Sequence, residues 1–324
     1  MKSRPHSRPY CREVRKERFN PMATVPKISV VTPCFNMAGY IESTVRSILD
    51  QDYPNLEYIV VDGGSTDGTL GIVQKHADRI ARIISEPDDG QYDAVQKGFA
   101  AASGEILAWL NADDVYYPWT LQLVGQIFAE FPNVHWVTGL YSWINKAGQC
   151  VRMSSAVPVY PGRYIRNGWF RQEAAGYLQQ ENMFWRRDLW DKSGGLDLRL
   201  RYAADYQLWT EFARHADLVS VAAPLAAFRL RPGEQRSSSQ EARYRDEVRR
   251  VCAELPRPPL LWRLIARRGL VPRMFCRLAA WKKGPVIAYS HERGRWELRT
   301  MRRPLSRLSL SGLLLEEALR RPGH

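Results

Sequence analysis

Four short apolar runs, each breaking into a polar and glycine-rich cluster, set the rhythm of the N-terminal third of the chain. Ile28 to Val31 leads into Thr32-Pro33-Cys34-Phe35-Asn36, and Tyr58 to Val61 into Asp62-Gly63-Gly64-Ser65-Thr66-Asp67-Gly68. Ile83-Ile84 leads into Ser85-Glu86-Pro87-Asp88-Asp89-Gly90, and Ile106 to Leu110 into Asn111-Ala112-Asp113-Asp114. Short apolar runs bounded by turn residues read as buried strands. Between them the period becomes helical. Ile41, Val45, Ile48 and Leu49 share a face of the segment Tyr40 to Asp50, Thr69 to His76 follows a glycine turn, and Ala94, Val95, Gly98 and Phe99 recur at helical spacing within Gln91 to Ala102. Pro118 stands near the start of a further helix through Phe128, where its missing N–H has no helical partner to lose. Strands alternating with helices predict an α/β fold with a Rossmann-like, mostly parallel sheet flanked by helices. Such a sheet carries its polar loops to one edge, where ligands bind.

A second half opens with an aromatic-rich strand expected from His135 to about Ile144. A Pro/Gly/Arg-rich loop, Val157 to Gly168, then leads to Trp169-Phe170 and either closes over a ligand or caps a core edge. In Leu189 to Ala216, Gly194-Gly195 breaks the chain before a helical stretch that begins near Ala203. Asp205 falls at its start, where a carboxylate serves as a cap or as a chemical group.

Charge divides the chain more sharply than hydropathy does. The net charge of +13 is concentrated in the tails: residues 1–26 hold seven Lys/Arg against two Asp/Glu, and residues 255–324 hold 16 against four. Residues 27–254, with 24 against 28, are mildly acidic. We therefore expect a basic flexible tail (1–26), a catalytic domain (27–250) with halves at 27–131 and 132–250, and a basic amphipathic helical extension (251–324). In 257–303, apolar residues such as Leu260, Trp262, Leu264 and Phe275 interleave with Arg263, Arg267, Arg273 and Lys282. That composition suits helices lying on an anionic membrane surface, or helices packed on the body with their arginines in water. Five widely separated cysteines without metal-ligand spacing read as reduced thiols. With no apolar run of spanning length and no apolar secretory region, the expectation is a cytoplasmic protein, peripheral on the inner face of the membrane if the basic extension docks there.

The chemistry-bearing residues cluster at the expected sheet edge. Asp113 and Asp114 follow a buried strand, where paired carboxylates either hold a hard divalent cation or form an acidic turn. Asp62 and Asp67, among Gly63, Gly64 and Gly68, also suit an Asx-type turn.

Three stretches, in order, then point to a family: ISVVTPCFNMAGYIESTVRSILDQDYPNLEYIVVDGGSTDGT, SEPDDGQYDAVQKGFAAASGEILAWLNADD and LQQENMFWRRDLWDKSGGLDLRLRYAADYQLW. Together they resemble the family 2 glycosyltransferases of the GT-A fold, over roughly residues 27–238. The resemblance implies inverting transfer of a sugar from a nucleotide-sugar donor to a glycan or lipid-linked acceptor, with Mg²⁺ or Mn²⁺, of the kind that builds bacterial polysaccharide. It implies Asp113 and Asp114 as metal ligands, with Asn111 and Ala112 beside them. Pro33, Phe35, Asn36, Asp62, Asp88, Gly90 and Lys97 would line the donor site, Lys97 also suiting a structural ion pair with Asp93. Asp205 would be the base, and Gln180, Glu181 and Trp185 would lie near the acceptor. Two positions depart from the pattern: Asn111 replaces a common Asp, and Arg231 a common His. Arg231 cannot ligate a metal but can grip a phosphate with two N–H donors.

Other readings fit less of the chain. A nucleic-acid-binding protein would use the basic tail but leaves the ordered loop motifs without a purpose, so no nucleic acid is expected. A sugar-phosphate nucleotidyltransferase would place a glycine-rich loop after the first strand, where Thr32 to Asn36 stands. A catalytically impaired scaffold of the same fold is kept open by Asn111 and Arg231.

Overall fold

The computed structural model describes residues 25–170, 178–233, 240–255 and 281–304. The strands β1 (Ile28–Cys34), β2 (Leu56–Asp62), β3 (Arg82–Ser85) and β4 (Ile106–Trp109) form where the apolar runs predict them, with α1 (Ile41–Leu49), α2 (Thr69–Gln74) and α3 (Gln91–Ala101) in the connections. β1 pairs in parallel with both β2 and β4, and β2 with β3. Their C-terminal ends therefore open on one edge.

Both faces of β1, β2 and β4 are covered, which is why they read as unbroken apolar runs. On β2, Ile59 and Val61 enter one buried cluster with Val31, Leu107 and Trp109. Tyr58 and Val60 enter the other with Ile28, Val30 and Ile106. Helix α3 lies close against the sheet at Gly98, where a Cβ would fall 2.3 Å from Val31 Cγ1.

The rest of the chain widens this sheet and adds a smaller one. It comprises β5 (Val115–Tyr116), α4 (Thr120–Glu130), β6 (Trp136–Thr138), β7 (Ser142–Ile144), β8 (Cys150–Met153) and α5 (Gly162–Arg166). After a 3₁₀ turn (Gln180–Asn182) come β9 (Phe184–Arg186), α6 (Arg187–Ser193), α7 (Ala204–His215), β10 (Val219–Val221), β11 (Ala226–Arg229), α8 (Glu241–Glu254), β12 (Trp281–Ser290) and β13 (Arg295–Pro304). The nine-stranded sheet runs β13-β12-β10-β6-β9-β4-β1-β2-β3, and a four-stranded sheet runs β5-β11-β7-β8.

Two expectations are corrected here. The aromatic segment 135–144 is two strands in two sheets, turning at Gly139, where a Cβ would meet Leu225 Cγ, Ala223 O and Asn182 Oδ1 at 2.8–2.9 Å. In the basic region, residues 281–304 form an antiparallel hairpin rather than a helix, and β12 continues the main sheet beside β10. Val286 and Ile287 are fully buried there. A β-branched pair in a strand fits a sheet edge as well as an amphipathic helix, and long-range pairing with β10 decides between them. The expected helices over 256–280 lie outside the described residues, as do 1–24. No helix among the described residues is long and apolar enough to cross a membrane.

Candidate active site

The ends of β1, β2 and β4, the start of α3 and the segment after β11 enclose a cavity of about 510 Å³. Pro33, Phe35, Asp88, Gly90, Asn111, Ala112, Asp113 and Arg231 all line it. The sheet edge thus brings together most of the residues expected at the donor site.

The first two loops are stapled to each other. Asn36, at φ +52°, accepts the Thr66 N–H on Oδ1 at 2.9 Å, and its own N–H donates to Ser65 Oγ at 2.8 Å. Asp62 has no exposed surface: its carboxylate accepts Ser65 N–H and Ser85 Oγ–H, with the Cys34 thiol 3.7 Å away. Asp62 therefore organises the loop under the cavity floor, the Asx-type role weighed from sequence. Burial pushes the Cys34 thiol well up, and the Asp62 charge adds to the rise. Gly63 approaches Asp88 so closely that a Cβ would lie 2.5 Å from its Oδ2. Asp88 in turn caps the turn into α3 by accepting the Gly90 N–H at 2.8 Å. Lys97 does not line the cavity. It pairs with Glu86 at 2.8 Å and Asp93 at 3.2 Å, the structural alternative.

The carboxylates after β4 take unequal places. Asp113 faces the cavity and its Oδ2 receives both Nε and a terminal nitrogen of Arg231, each at 2.7 Å. Asp114 is turned inward, with Oδ1 accepting the Arg229 N–H at 2.9 Å. Burial, then the charges of Asp113 and Glu181, push its carboxyl well above the usual range. Asn111 Oδ1 accepts N–H groups from Gln91 and Trp109 at 2.6 and 2.7 Å, while its amide donates to Gln180 at 3.1 Å. Arg229 locks the turn from below, donating to Asp113 O, Lys146 O and Ser43 Oγ.

A divalent cation needs several oxygen ligands around one point, commonly including one or two carboxylates. The donor set does not fit that requirement as it stands: Asp114 faces away, Asn111 Oδ1 is doubly occupied, and a guanidinium already sits on Asp113. No group of three or more His, Cys, Asp or Glu side chains capable of holding a metal occurs among the described residues. The expected assignment of Asp114 as a ligand is thus corrected, because its carboxylate is spent on the backbone of β11.

On the acceptor side, Asp205 stands half-buried in the first turn of α7 and accepts a hydrogen bond from Tyr92 of α3 at 3.1 Å. Burial pushes its carboxyl up, against the pull of backbone amides and the Tyr92 hydroxyl. Gln180 is buried, bonded to Trp109 O and Asn111. Glu181 is buried with Oε1 unpartnered, and burial together with the charges of Asp113 and Asp205 pushes it up to about 8. Trp185 is not at a surface. It is fully buried against Phe99, Trp190, Trp209 and Phe212, with ring centroids 5.5–6.2 Å apart, so its expected place beside the acceptor is corrected to a core role.

Sequence reasoning missed Tyr92, Gln91 and Glu247. Glu247 of α8 is buried and its carboxylate accepts the N–H groups of Arg201, Tyr202 and Ala203 just before α7. No local signal marks it, since its partners lie more than forty residues away.

Comparison with known proteins identifies the family and the fold. The family model described as glycosyl transferase family 2 matches residues 29–203. An uncharacterized glycosyltransferase of Nostoc sp. is 38% identical over 105 residues, covering 32% of this chain and 33% of its own length. A Bacillus subtilis glycosyltransferase named for teichuronic acid biosynthesis is 42% identical over 92 residues, 28% of this chain and 36% of its own. One from Rickettsia typhi is 28% identical over 190 residues, covering 58% and 59%. The matches thus span about a third to three fifths of these relatives. Among solved structures, TarS of S. aureus (residues 1–349) in complex with UDP-GlcNAc aligns at TM-score 0.53 and 22% identity over 76% of this chain and 67% of TarS. A mannosyltransferase of Pyrobaculum calidifontis, in complex with GDP-Man and Mn²⁺, aligns at 0.52 and 20% over 76% and 70%. These likenesses establish a GT-A type fold. With the family model spanning more than half of its residues, the chain belongs to glycosyl transferase family 2.

Proposed function

We propose that the protein transfers a sugar, with inversion, from a nucleoside-diphosphate sugar to an acceptor hydroxyl in the assembly of a cell-surface polysaccharide or lipid-linked glycan. The observation that carries this is the linkage through α3: Gln91 lines the strand-end cavity, while its neighbour Tyr92 holds the carboxylate of Asp205. Donor and base are thereby positioned from one helix. The nucleoside would lie against Pro33 and Phe35, the latter 56% exposed at the cavity, with the diphosphate toward Asp113 and Arg231.

In the transfer, the acceptor oxygen forms a bond to the anomeric carbon as its proton passes to Asp205. The bond from that carbon to the diphosphate oxygen breaks, and the electron pair leaves on the nucleoside diphosphate. Attack opposite the leaving group inverts the centre. Positioning and proton removal together supply the acceleration. The nucleotide-sugar complexes of TarS and of the Pyrobaculum enzyme support the donor class, and the Bacillus relative supports a polysaccharide product. We assign the reaction to the cytoplasm, at the inner membrane face, on the basic excess of residues 255–324.

The test is nucleoside-diphosphate release from a panel of UDP-, GDP- and dTDP-sugars, with and without lipid-linked acceptors. One donor should be turned over, and Asp205→Asn should lower its turnover by about 10²–10⁴-fold without weakening donor binding. Turnover unchanged in Asp205→Asn would remove the assignment of the base. Failure of every nucleotide to bind would favour the scaffold reading.

A further inference from the structure

We propose that Arg231, held on Asp113, is the fixed cation of the donor site, so that the donor's diphosphate is bound without a divalent metal. This rests on the nucleotide-sugar reading above. Among the described residues lining the cavity, Arg231 is the one cationic side chain, and it shares that cavity with Asp88 and Asp113. A diphosphate cannot be held against two carboxylates without a compensating positive charge. Arg231 brings the one positive charge that the described lining offers a diphosphate, offsetting one of the two carboxylates.

The pair is built rather than incidental. The side chains of Arg231 and Asp113 are only 11% and 12% exposed, and two nitrogens of Arg231 converge on one carboxylate oxygen. The guanidinium stands over the Tyr40 ring, 5.1 Å from its centroid, which restrains its plane. Arg229 holds the other side of the turn by donating to the Asp113 carbonyl at 2.6 Å. Guanidinium offers five N–H donors in a rigid fork, a geometry that suits phosphate oxygens as it suits the Asp113 carboxylate. A divalent cation would have to displace this fork from Asp113, with Asp114 facing away toward the Arg229 N–H.

The experiment is calorimetric titration of the full chain with UDP and with GDP, each in excess EDTA and in MnCl₂, using wild type, Arg231→Ala, Arg231→Lys and Arg231→His, with thermal melts to establish that each variant folds. For the nucleotide that binds, wild-type Kd should change by less than about twofold between EDTA and Mn²⁺. Arg231→Ala should weaken binding in EDTA about tenfold or more, and Arg231→Lys should fall between, keeping the charge without the fork. Arg231→His, which leaves Asp113 available and adds a metal-binding nitrogen, should bind strongly only with Mn²⁺. A wild-type Kd that rises about tenfold in EDTA overturns the proposal while leaving the nucleotide-sugar reading intact. So does Arg231→Ala or Arg231→Lys binding like wild type in EDTA, which would make Arg231 only a structural partner of Asp113. Failure of both nucleotides to bind under any condition overturns this proposal together with the nucleotide-sugar reading for UDP and GDP donors.

Discussion

Tyr92 of α3 and Asp205 of α7, 113 residues apart, meet through a hydrogen bond of 3.1 Å from the phenol to Oδ1. The phenol ring is itself fixed edge-on against Trp109, with centroids 5.7 Å apart. A strand-end tryptophan, an α3 tyrosine and an α7 carboxylate thus form one chain of contacts from donor loop to proposed base.

Tyr92→Phe tests that contact by pH. Burial raises the Asp205 carboxyl, and the Tyr92 hydroxyl stabilises its ionised form and lowers it again. Removing the hydroxyl leaves only the backbone amides opposing burial, so the base loses its charge at higher pH than in the wild type. The acidic limb of kcat/KM should move upward in pH, with the alkaline plateau largely retained. A limb that stays in place would show that Asp205 does not set it.

Glu247 gathers three backbone N–H groups ahead of α7 while only 4% exposed. Glu247→Ala leaves these donors without their acceptor and should lower stability by roughly 2–4 kcal/mol. Because the capped backbone leads directly into Asp205, kcat should fall more than donor affinity. Glu247→Gln, which keeps a carbonyl acceptor, should recover most of both. Chemical denaturation and steady-state kinetics on the two variants give the comparison.

Gly98→Ala probes the seat of α3 on the sheet. The added methyl would fall 2.3 Å from Val31 Cγ1 and 3.2 Å from Val61 Cγ2, both in the core. The gain in helix propensity is about 1 kcal/mol, whereas overpacking costs about 1–3 kcal/mol and occasionally more. We expect a net loss of stability in thermal unfolding, with a reduced kcat as α3 shifts Tyr92. A stabilised variant would show that the helix can lift without cost.

Glu181 gives stability a pH dependence. Burial raises its folded-state value from 4.5 to about 8, whereas the unfolded chain titrates near the ordinary value. The folded state therefore keeps a proton that the unfolded chain has lost. The resulting stabilisation is complete below the ordinary value and fades as pH rises through about 8. Glu181→Gln removes this dependence. Between about pH 5 and about pH 9, its melting temperature should fall less than that of the wild type. Parallel curves would mean that Glu181 is already ionised in the folded protein.

The amino-acid pattern alone determined β1 to β4, the helices between them and the edge on which their loops gather. A strand covered on both faces needs an unbroken apolar run, and a helix on a sheet needs its apolar residues three and four apart. These are local requirements, written within ten residues of each other. The ordered loop motifs also determined the family. What each polar side chain does there was decided by tertiary structure. Asp113 meets Arg231 across 118 residues, Asp114 meets the Arg229 backbone across 115, and Tyr92 meets Asp205 across 113. Adjacent carboxylates with the same local signature were thus separated into one facing the cavity and one sealed beneath it. Trp185 was likewise drawn into the core, and the basic hairpin at 281–304 into the sheet. Pairing over such distances depends on which surfaces the packed core brings face to face, and no short-range period records it.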